Sequence, residues 1–305
     1  MTLSKKMFSL DMTHAFLYIC RISLSHTFTM KRLAILLPLL LLAVATEGQI
    51  RSNVPKYNPD SVRAELDKRP YFSLFKDNYF IGGTTLGAKP TGQNSDVKFQ
   101  LSISQRLTKS KLPFDTYLFI TYTQKAFWNV FQKSLPMYDL NFNPGIGLTH
   151  PVIYHDRFIG QITLLLEHES NGQDSIWSRS WNKVSFMGAL AVDHNIELQF
   201  KTWIPIIDSG NNRDILKYCG IFQLAGSYLS DNRRFGASVI LTKRSGWNFN
   251  FNTVIELSAR LFKNENQYLF LQYYNGYGEG LLDYNKFHSR LRIGFVIKPQ
   301  NFSNF

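Results

Sequence analysis

Residues 161–170 read QITLLLEHES, and after a short polar stretch residues 181–192 read WNKVSFMGALAV. Side chains on an extended strand alternate between its two sides. In the first stretch Ile162, Leu164, Leu166, His168 and Ser170 fall on one face, with Gln161, Thr163, Leu165, Glu167 and Glu169 on the other. In the second, Asn182, Val184, Phe186, Gly188, Leu190 and Val192 share a face, against Trp181, Lys183, Ser185, Met187, Ala189 and Ala191. Each stretch has an apolar face that ends in polar side chains where the two are joined. A soluble sandwich or lipocalin-like barrel would turn that face inward. A small transmembrane barrel turns it toward lipid and its polar face toward the lumen, so His168, Ser170 and Asn182 would meet at the membrane border. Polar groups placed there are costly without a purpose.

Working outward from this pair, the chain breaks into segments of about ten residues, the length of a tilted transmembrane strand. Twelve are predicted, near 77–85, 96–107, 115–126, 143–153, 158–170, 181–192, 195–205, 217–229, 235–243, 247–261, 267–276 and 288–298. Clusters of Asn, Asp, Gly, Pro and Lys separate them. Connections after odd-numbered segments are long, except Arg244 to Gly246, whereas those after even ones tend to be short, such as His155-Asp156 and Asp193-His194. Long loops on one side and tight turns on the other are the barrel pattern. The expected fold class is all-β, a twelve-stranded antiparallel transmembrane β-barrel. Composition agrees, with 15% aromatic and only 18% charged residues. The chain ends in Phe305, similar to the terminal aromatic of outer-membrane barrels, though beyond the last segment.

Before the barrel, Met30 is followed by Lys31-Arg32, an apolar run from Leu33 to Leu42, and Ala43-Val44-Ala45. These are the charged, apolar and small-residue parts of a secretory signal peptide over 30–45, with cleavage after Ala45. Residues 1–29 read as an upstream extension, 46–76 as a polar periplasmic segment, and 77–305 as the barrel. The formal net charge is +12, yet no Lys/Arg cluster or basic helix stands out, so no nucleic-acid partner is expected. A basic surface facing anionic headgroups suits the balance better. Of Cys20 and Cys219, the first lies in the leader, so neither a disulfide nor a thiolate metal site is expected.

The three converging side chains suit acyl transfer. Ser170 is the candidate nucleophile, His168 the base that takes its proton, and Asn182 the group that orients the imidazole. A neutral Asn avoids placing a carboxylate beside hydrocarbon. It stabilises the imidazolium less, so another positive charge should assist the oxyanion.

The motif His168-Glu169-Ser170-Asn171-Gly172 with Ser178-Arg179-Ser180-Trp181-Asn182 resembles the outer-membrane phospholipase A family. Supporting matches include Asp96 to Leu101, Tyr122 to Lys125, Asn141 to Pro144, Gly276 to Glu279 and Asp283 to Asn285. The resemblance implies a bacterial outer-membrane barrel that hydrolyses phospholipid acyl esters at sn-1 and sn-2, active as a calcium-bound homodimer. It also implies His168, Ser170 and Asn182 as the triad, the Ser170 and Gly172 amides as oxyanion donors, and Gln173, Ser178 and the partner subunit's Ser134 as calcium ligands. Gln124 matches a position that makes a polar contact between subunits; without the resemblance it reads as an ordinary inward polar residue. Glu169, Gln173 and Ile176-Trp177 depart from the family's usual Asp, Arg and Pro-Thr, and the segment before Ser134 is shorter. The competing readings are a passive barrel, either channel or structural protein, and a soluble secreted esterase, against which the lack of a Gly-x-Ser-x-Gly elbow counts.

Overall fold

A computed structural model describes residues 59–154, 157–206, 210–263, 265–299, 302, 304 and 305. The upstream extension and the signal peptide lie outside these residues. Helix α1 (Pro59–Lys68) and a short strand β1 (Phe72–Leu74) precede twelve longer strands. These are β2 (Asn78–Thr85), β3 (Ser95–Arg106), β4 (Tyr117–Trp128), β5 (Met137–Tyr154), β6 (Arg157–Ser170), β7 (Ser180–Ala191), β8 (Ile196–Ile206), β9 (Phe222–Leu229), β10 (Phe235–Lys243), β11 (Phe251–Arg260), β12 (Gln267–Gly276) and β13 (His288–Ile297). Each pairs antiparallel with its neighbour in the chain, and β13 pairs with β2, which closes the ring. Closure leaves no open edge in hydrocarbon.

The twelve strands fall close to their predicted positions, with three differences. The fourth begins earlier, at Met137. Residues 217–219, predicted as the start of the eighth strand, belong instead to a one-turn helix α2 (Ile215–Cys219) ended by Gly220. Its apolar side chains serve a cap: Ile215 is fully buried against Trp181, Leu281 and Tyr284. Residues 247–250 are loop rather than strand, so the connection that looked too short runs over 244–250 and ceases to be an exception.

Burial follows the alternation. On β6, Thr163, Leu165 and Glu167 are buried while Ile162, Leu164 and Leu166 are exposed; on β7, Trp181, Lys183, Ser185 and Met187 are buried while Phe186 is exposed. An outer belt of Leu101, Ile120, Ile146, Leu148, Leu164, Leu166, Phe186, Leu198, Ile204, Leu257, Leu269, Ile293 and Phe295 is the surface lipid would cover.

Inside, charges are paired. Arg292 donates to Asp96 at 2.7 and 2.9 Å and to Glu279 at 2.6 and 3.3 Å. Lys98 reaches Glu279 at 3.1 Å and Gln272 at 2.8 Å. Glu167 accepts from Lys201 at 2.8 Å and from the Ser185 hydroxyl. Apolar clusters fill the gaps: Phe75, Phe119, Leu165 and Met187 in one, and Tyr79, Ile81, Tyr268, Phe270 and Val296 in another.

Residues 59–76, expected as part of a polar segment, instead brace the short-turn end. Val62 and Leu66 of α1 pack on Tyr117. Arg106 of β3 reaches back to the helix end, donating to the carbonyls of Leu66, Asp67 and Arg69 at 2.7, 2.9 and 2.9 Å. A cation at a helix C-terminus meets carbonyls that have no helical partner.

At the long-loop end, the connection 277–287 folds into the mouth. Leu281 and Leu282 amides donate to Asn141 and Asp139 at 3.2 and 3.0 Å, and Asp283 accepts from Tyr138 and His288 at 3.0 and 2.9 Å. Burial opposes ionisation of Glu279, but Arg292 and Lys98 outweigh it and hold this carboxyl below the usual carboxylate range. Burial likewise opposes ionisation of Asp283, and the bonds from His288 and Tyr138 outweigh it. Both folded values lie below the unfolded ones. Their contribution is therefore complete above the unfolded carboxylate range of about pH 4 and is lost as pH falls through the folded values. Hydrogen exchange in residues 277–287 should accelerate below about pH 4, and Glu279→Gln with Asp283→Asn should flatten that acid limb. An acid limb unchanged in the double variant would dissociate these carboxylates from the loop's closure.

Candidate active site

The site is built by the register of β6 on β7, which sets His168 opposite Asn182 and Ser170 opposite Ser180. His168, Ser170 and Asn182 all stand on the outer wall, in step with the exposed Leu164, Leu166 and Phe186. The imidazole Nδ1 lies 2.8 Å from Asn182 Oδ1. A carbonyl oxygen only accepts, so this bond puts the proton on Nδ1 and leaves Nε2 free to act as a base. Ser170 is the next outward residue after His168 on the same strand, and both are half-buried. Among the described residues no hydrogen bond joins the Ser170 hydroxyl to the ring. Catalytic contacts of this kind commonly tighten only when substrate is bound.

Two asparagines hold this geometry, and the sequence reasoning gave them no role. The β5–β6 ladder skips Asn143 and Pro144, since proline has no N–H to offer. In its place the Asn143 side chain donates to the His168 carbonyl at 2.8 Å. Asn171, buried to 3% exposure, ties the loop after the nucleophile into a ring. Its amide donates to the Arg179 carbonyl at 3.0 Å, its Nδ2 to the Trp177 carbonyl at 2.9 Å, and its Oδ1 accepts from the Arg179 amide at 2.9 Å. Asn-Pro in a strand, and Asn directly after a nucleophile, are the signals that could have found them.

Gly172 sits inside this ring with φ +65°, and a Cβ there would come within 2.9 Å of the Phe142 ring. Only glycine fits both the conformation and the contact. Gln173 and Ser178 share the loop, Gln173 exposed and Ser178 half-buried. Ser134 lies in the exposed turn between β4 and β5 with φ +68°. No hydrogen bond links it to residues 171–179 among the described residues.

The inner wall behind the site is ionic. Glu169 points inward and accepts from Lys183 at 2.7 Å and from the Trp181 indole at 3.1 Å. Gln124 stands on the outer wall rather than in the lumen: it alternates with buried Thr121 and Thr123, and its side-chain carbonyl accepts from the Tyr122 hydroxyl at 3.1 Å.

Fold and wall together define the class, an outer-membrane β-barrel that presents polar chemistry to lipid rather than to its lumen. The phospholipase A1 family model matches residues 75–297. Phospholipase A1 of Salmonella typhimurium is 31% identical over 222 residues, covering 70% of this chain and 73% of the relative. That of Escherichia coli K12 is 31% identical over 212 residues, covering 67% and 70%. The calcium-bound dimer of Salmonella typhi outer membrane phospholipase superposes with a TM-score of 0.67 at 27% identity, covering 79% of this chain and 99% of that one. Outer membrane phospholipase A of Escherichia coli gives 0.65 at 27%, covering 74% and 98%. The chain belongs to the phospholipase A1 family, and it is a multi-pass phospholipase of the bacterial outer membrane.

Asn171→Ala should keep the barrel, with its heat-modifiable gel mobility, while lowering phospholipid hydrolysis by roughly 10²-fold, because a misplaced catalytic loop loses the orientation contribution. Undiminished turnover would mean the loop ring does not position the site.

Proposed function

We propose that this chain hydrolyses the sn-1 and sn-2 acyl esters of membrane phospholipids through a Ser170–His168–Asn182 relay, as a calcium-dependent homodimer. The observation that carries the reading is the His168–Asn182 hydrogen bond of 2.8 Å on the outward wall, with a serine next in line on the same face. Nothing in the barrel's own polar interior requires such a pair outside. A solved Escherichia coli relative with an asparagine-to-alanine change in its active site adds support.

Ser170 Oγ attacks the ester carbonyl carbon as His168 Nε2 takes the hydroxyl proton. Asn182 Oδ1 holds the Nδ1–H and so fixes the tautomer. The Ser170 and Gly172 amides receive the charge that develops on the carbonyl oxygen. Collapse breaks the ester C–O bond, and His168 hands its proton to the departing lysophospholipid oxygen. Water then repeats the sequence on the acyl-serine and frees the fatty acid.

The donors in loop 171–179 fit a calcium ion. An exposed carbonyl at Gln173 and the hydroxyl of Ser178 are hard oxygen ligands, and among the described residues no cluster of His, Cys, Asp or Glu offers a competing metal site. Ser134 of the partner subunit would complete the set. When bound, calcium supplies the positive charge near the oxyanion that a neutral Asn182 lacks. Gln124 supports a dimer: an amide facing hydrocarbon gains from a polar partner on a second copy.

Ser170→Ala in detergent-solubilised protein should reduce phospholipid hydrolysis by about 10⁶-fold, the loss typical of a missing nucleophile. Chelation should abolish wild-type activity reversibly, and Gln124→Ala should weaken cross-linking between copies. Hydrolysis that survives Ser170→Ala would exclude this nucleophile, and chelator-insensitive turnover would exclude calcium.

A further inference from the structure

Loop 171–179 carries two apolar side chains that the chemistry above does not use. Its backbone is fastened from within: Arg179 Nη1 donates to the Ile176 carbonyl at 2.8 Å, Asn171 Nδ2 to the Trp177 carbonyl at 2.9 Å, and Asn211 Nδ2 to the Ser175 carbonyl at 2.7 Å. These bonds hold the single turn Ser175–Trp177 in place, and none of its residues is buried. Ile176 and Trp177 are 70% and 57% exposed, and neither joins any buried apolar cluster of the described residues. A loose loop could fold such groups away; this one cannot without breaking its own fastenings.

Their position says what covers them. The loop follows Ser170 directly and joins β6 to β7. The outer faces below it carry Leu164, Leu166 and Phe186, and the neighbouring β8 adds Ile204 and Ile206 at 70% and 51% exposure. The apolar belt climbs to the polar site, and the loop that follows the site carries Ile176 and Trp177. Indole rings favour the level of a membrane where headgroups meet hydrocarbon. Phospholipid ester bonds lie at that same level.

We infer that Ile176 and Trp177 form a lipid-inserted lip that seats in the upper acyl region of the surrounding leaflet and sets the depth at which a phospholipid ester meets Ser170. The lip deepens the hydrolase reading and rests on it for its kinetic consequence, though not for its membrane contact. Trp177 is a positioning residue here, since it acts through the lipid and not on the reacting atoms.

The protein would be reconstituted in vesicles of phosphatidylcholine brominated at a defined acyl position, comparing wild type with Trp177→Phe. Bromines near the glycerol end should quench a tryptophan component in the wild type that Trp177→Phe lacks, and bromines near the methyl end should quench it less. The Ile176→Ser, Trp177→Ser double variant should raise KM for vesicle phospholipid roughly tenfold, the effect of losing buried apolar contact, with kcat changed less than twofold. Dissolved short-chain ester should show no such rise, and Trp177→Phe should restore the vesicle KM. Identical quenching in wild type and Trp177→Phe would overturn the lip, whatever the fate of Ser170. Quenching that disappears on cross-linking two copies would also overturn it, assigning these side chains to a subunit interface. Loss of activity in Ser170→Ala bears only on the nucleophile, so the two readings fail separately.

Discussion

His168 and Asn182 meet because β6 and β7 are paired in one register, and that register depends on which face of each strand seeks lipid. In a barrel wall a slip of one residue exchanges every outward side chain for an inward one. On β6 such a slip would send Leu164 and Leu166 into the lumen and Glu167 and Glu169 into hydrocarbon, breaking the bonds to Lys201 and Lys183. Burying an unpaired charge in that setting is far costlier than any single hydrogen bond can offset. The ionic interior therefore does more than fill the barrel. It fixes the side of the wall on which the imidazole stands, with the 2.8 Å contact as a consequence.

The division of charge across the wall follows from the same constraint. Ionised groups gather in the lumen, where Arg292, Lys98, Asp96 and Glu279 satisfy one another, and the outward cluster is built of neutral donors and acceptors. An Asp at position 182 would place a carboxylate beside hydrocarbon, on the side of the wall away from the lysines of the lumen. Asn supplies the acceptor oxygen without that cost. Loop 171–179 is fastened by the amides of Asn171 and Asn211 together with the Arg179 guanidinium, and no carboxylate takes part.

Strand positions were legible because alternation between lipid and lumen is imposed by two solvents of opposite character, and little else in the chain repeats with a period of two. The pattern failed where neither solvent decides. Ile215, Leu216, Tyr218 and Cys219 are apolar for a third reason, to cap the mouth against Trp181 and Leu281, and the second half of this helix falls within the predicted eighth strand. Pairing information was legible for His168 and Asn182, which sit on predicted neighbouring strands. It was not for Asn143, whose role depends on the missing N–H of the next residue, Pro144, nor for Asn171, whose partners lie across a loop. For Gln124 polarity alone would suggest the lumen, whereas the resemblance implies a contact between subunits; its neighbours in register, Leu101 and Phe142, place it outward.

The brace at the other end explains how so exposed a site can stay ordered. β4, β5 and β6 support the active-site wall, and their short-turn ends are where α1 packs, through Val62 and Leu66 on Tyr117, with Ile153 and Phe158 alongside. Arg106 fastens that helix to β3 and also lies over the Tyr71 and Tyr117 rings at 4.5 and 5.3 Å. Strands are stiff along their length, so holding one end restrains the tilt of the other. At the mouth, the inserted loop 277–287 restrains the strands again through Asn141 and Asp139 of β5. The β5–β6–β7 wall is thus clamped above and below on its inner side, which leaves the outer side free of packing partners and open to lipid.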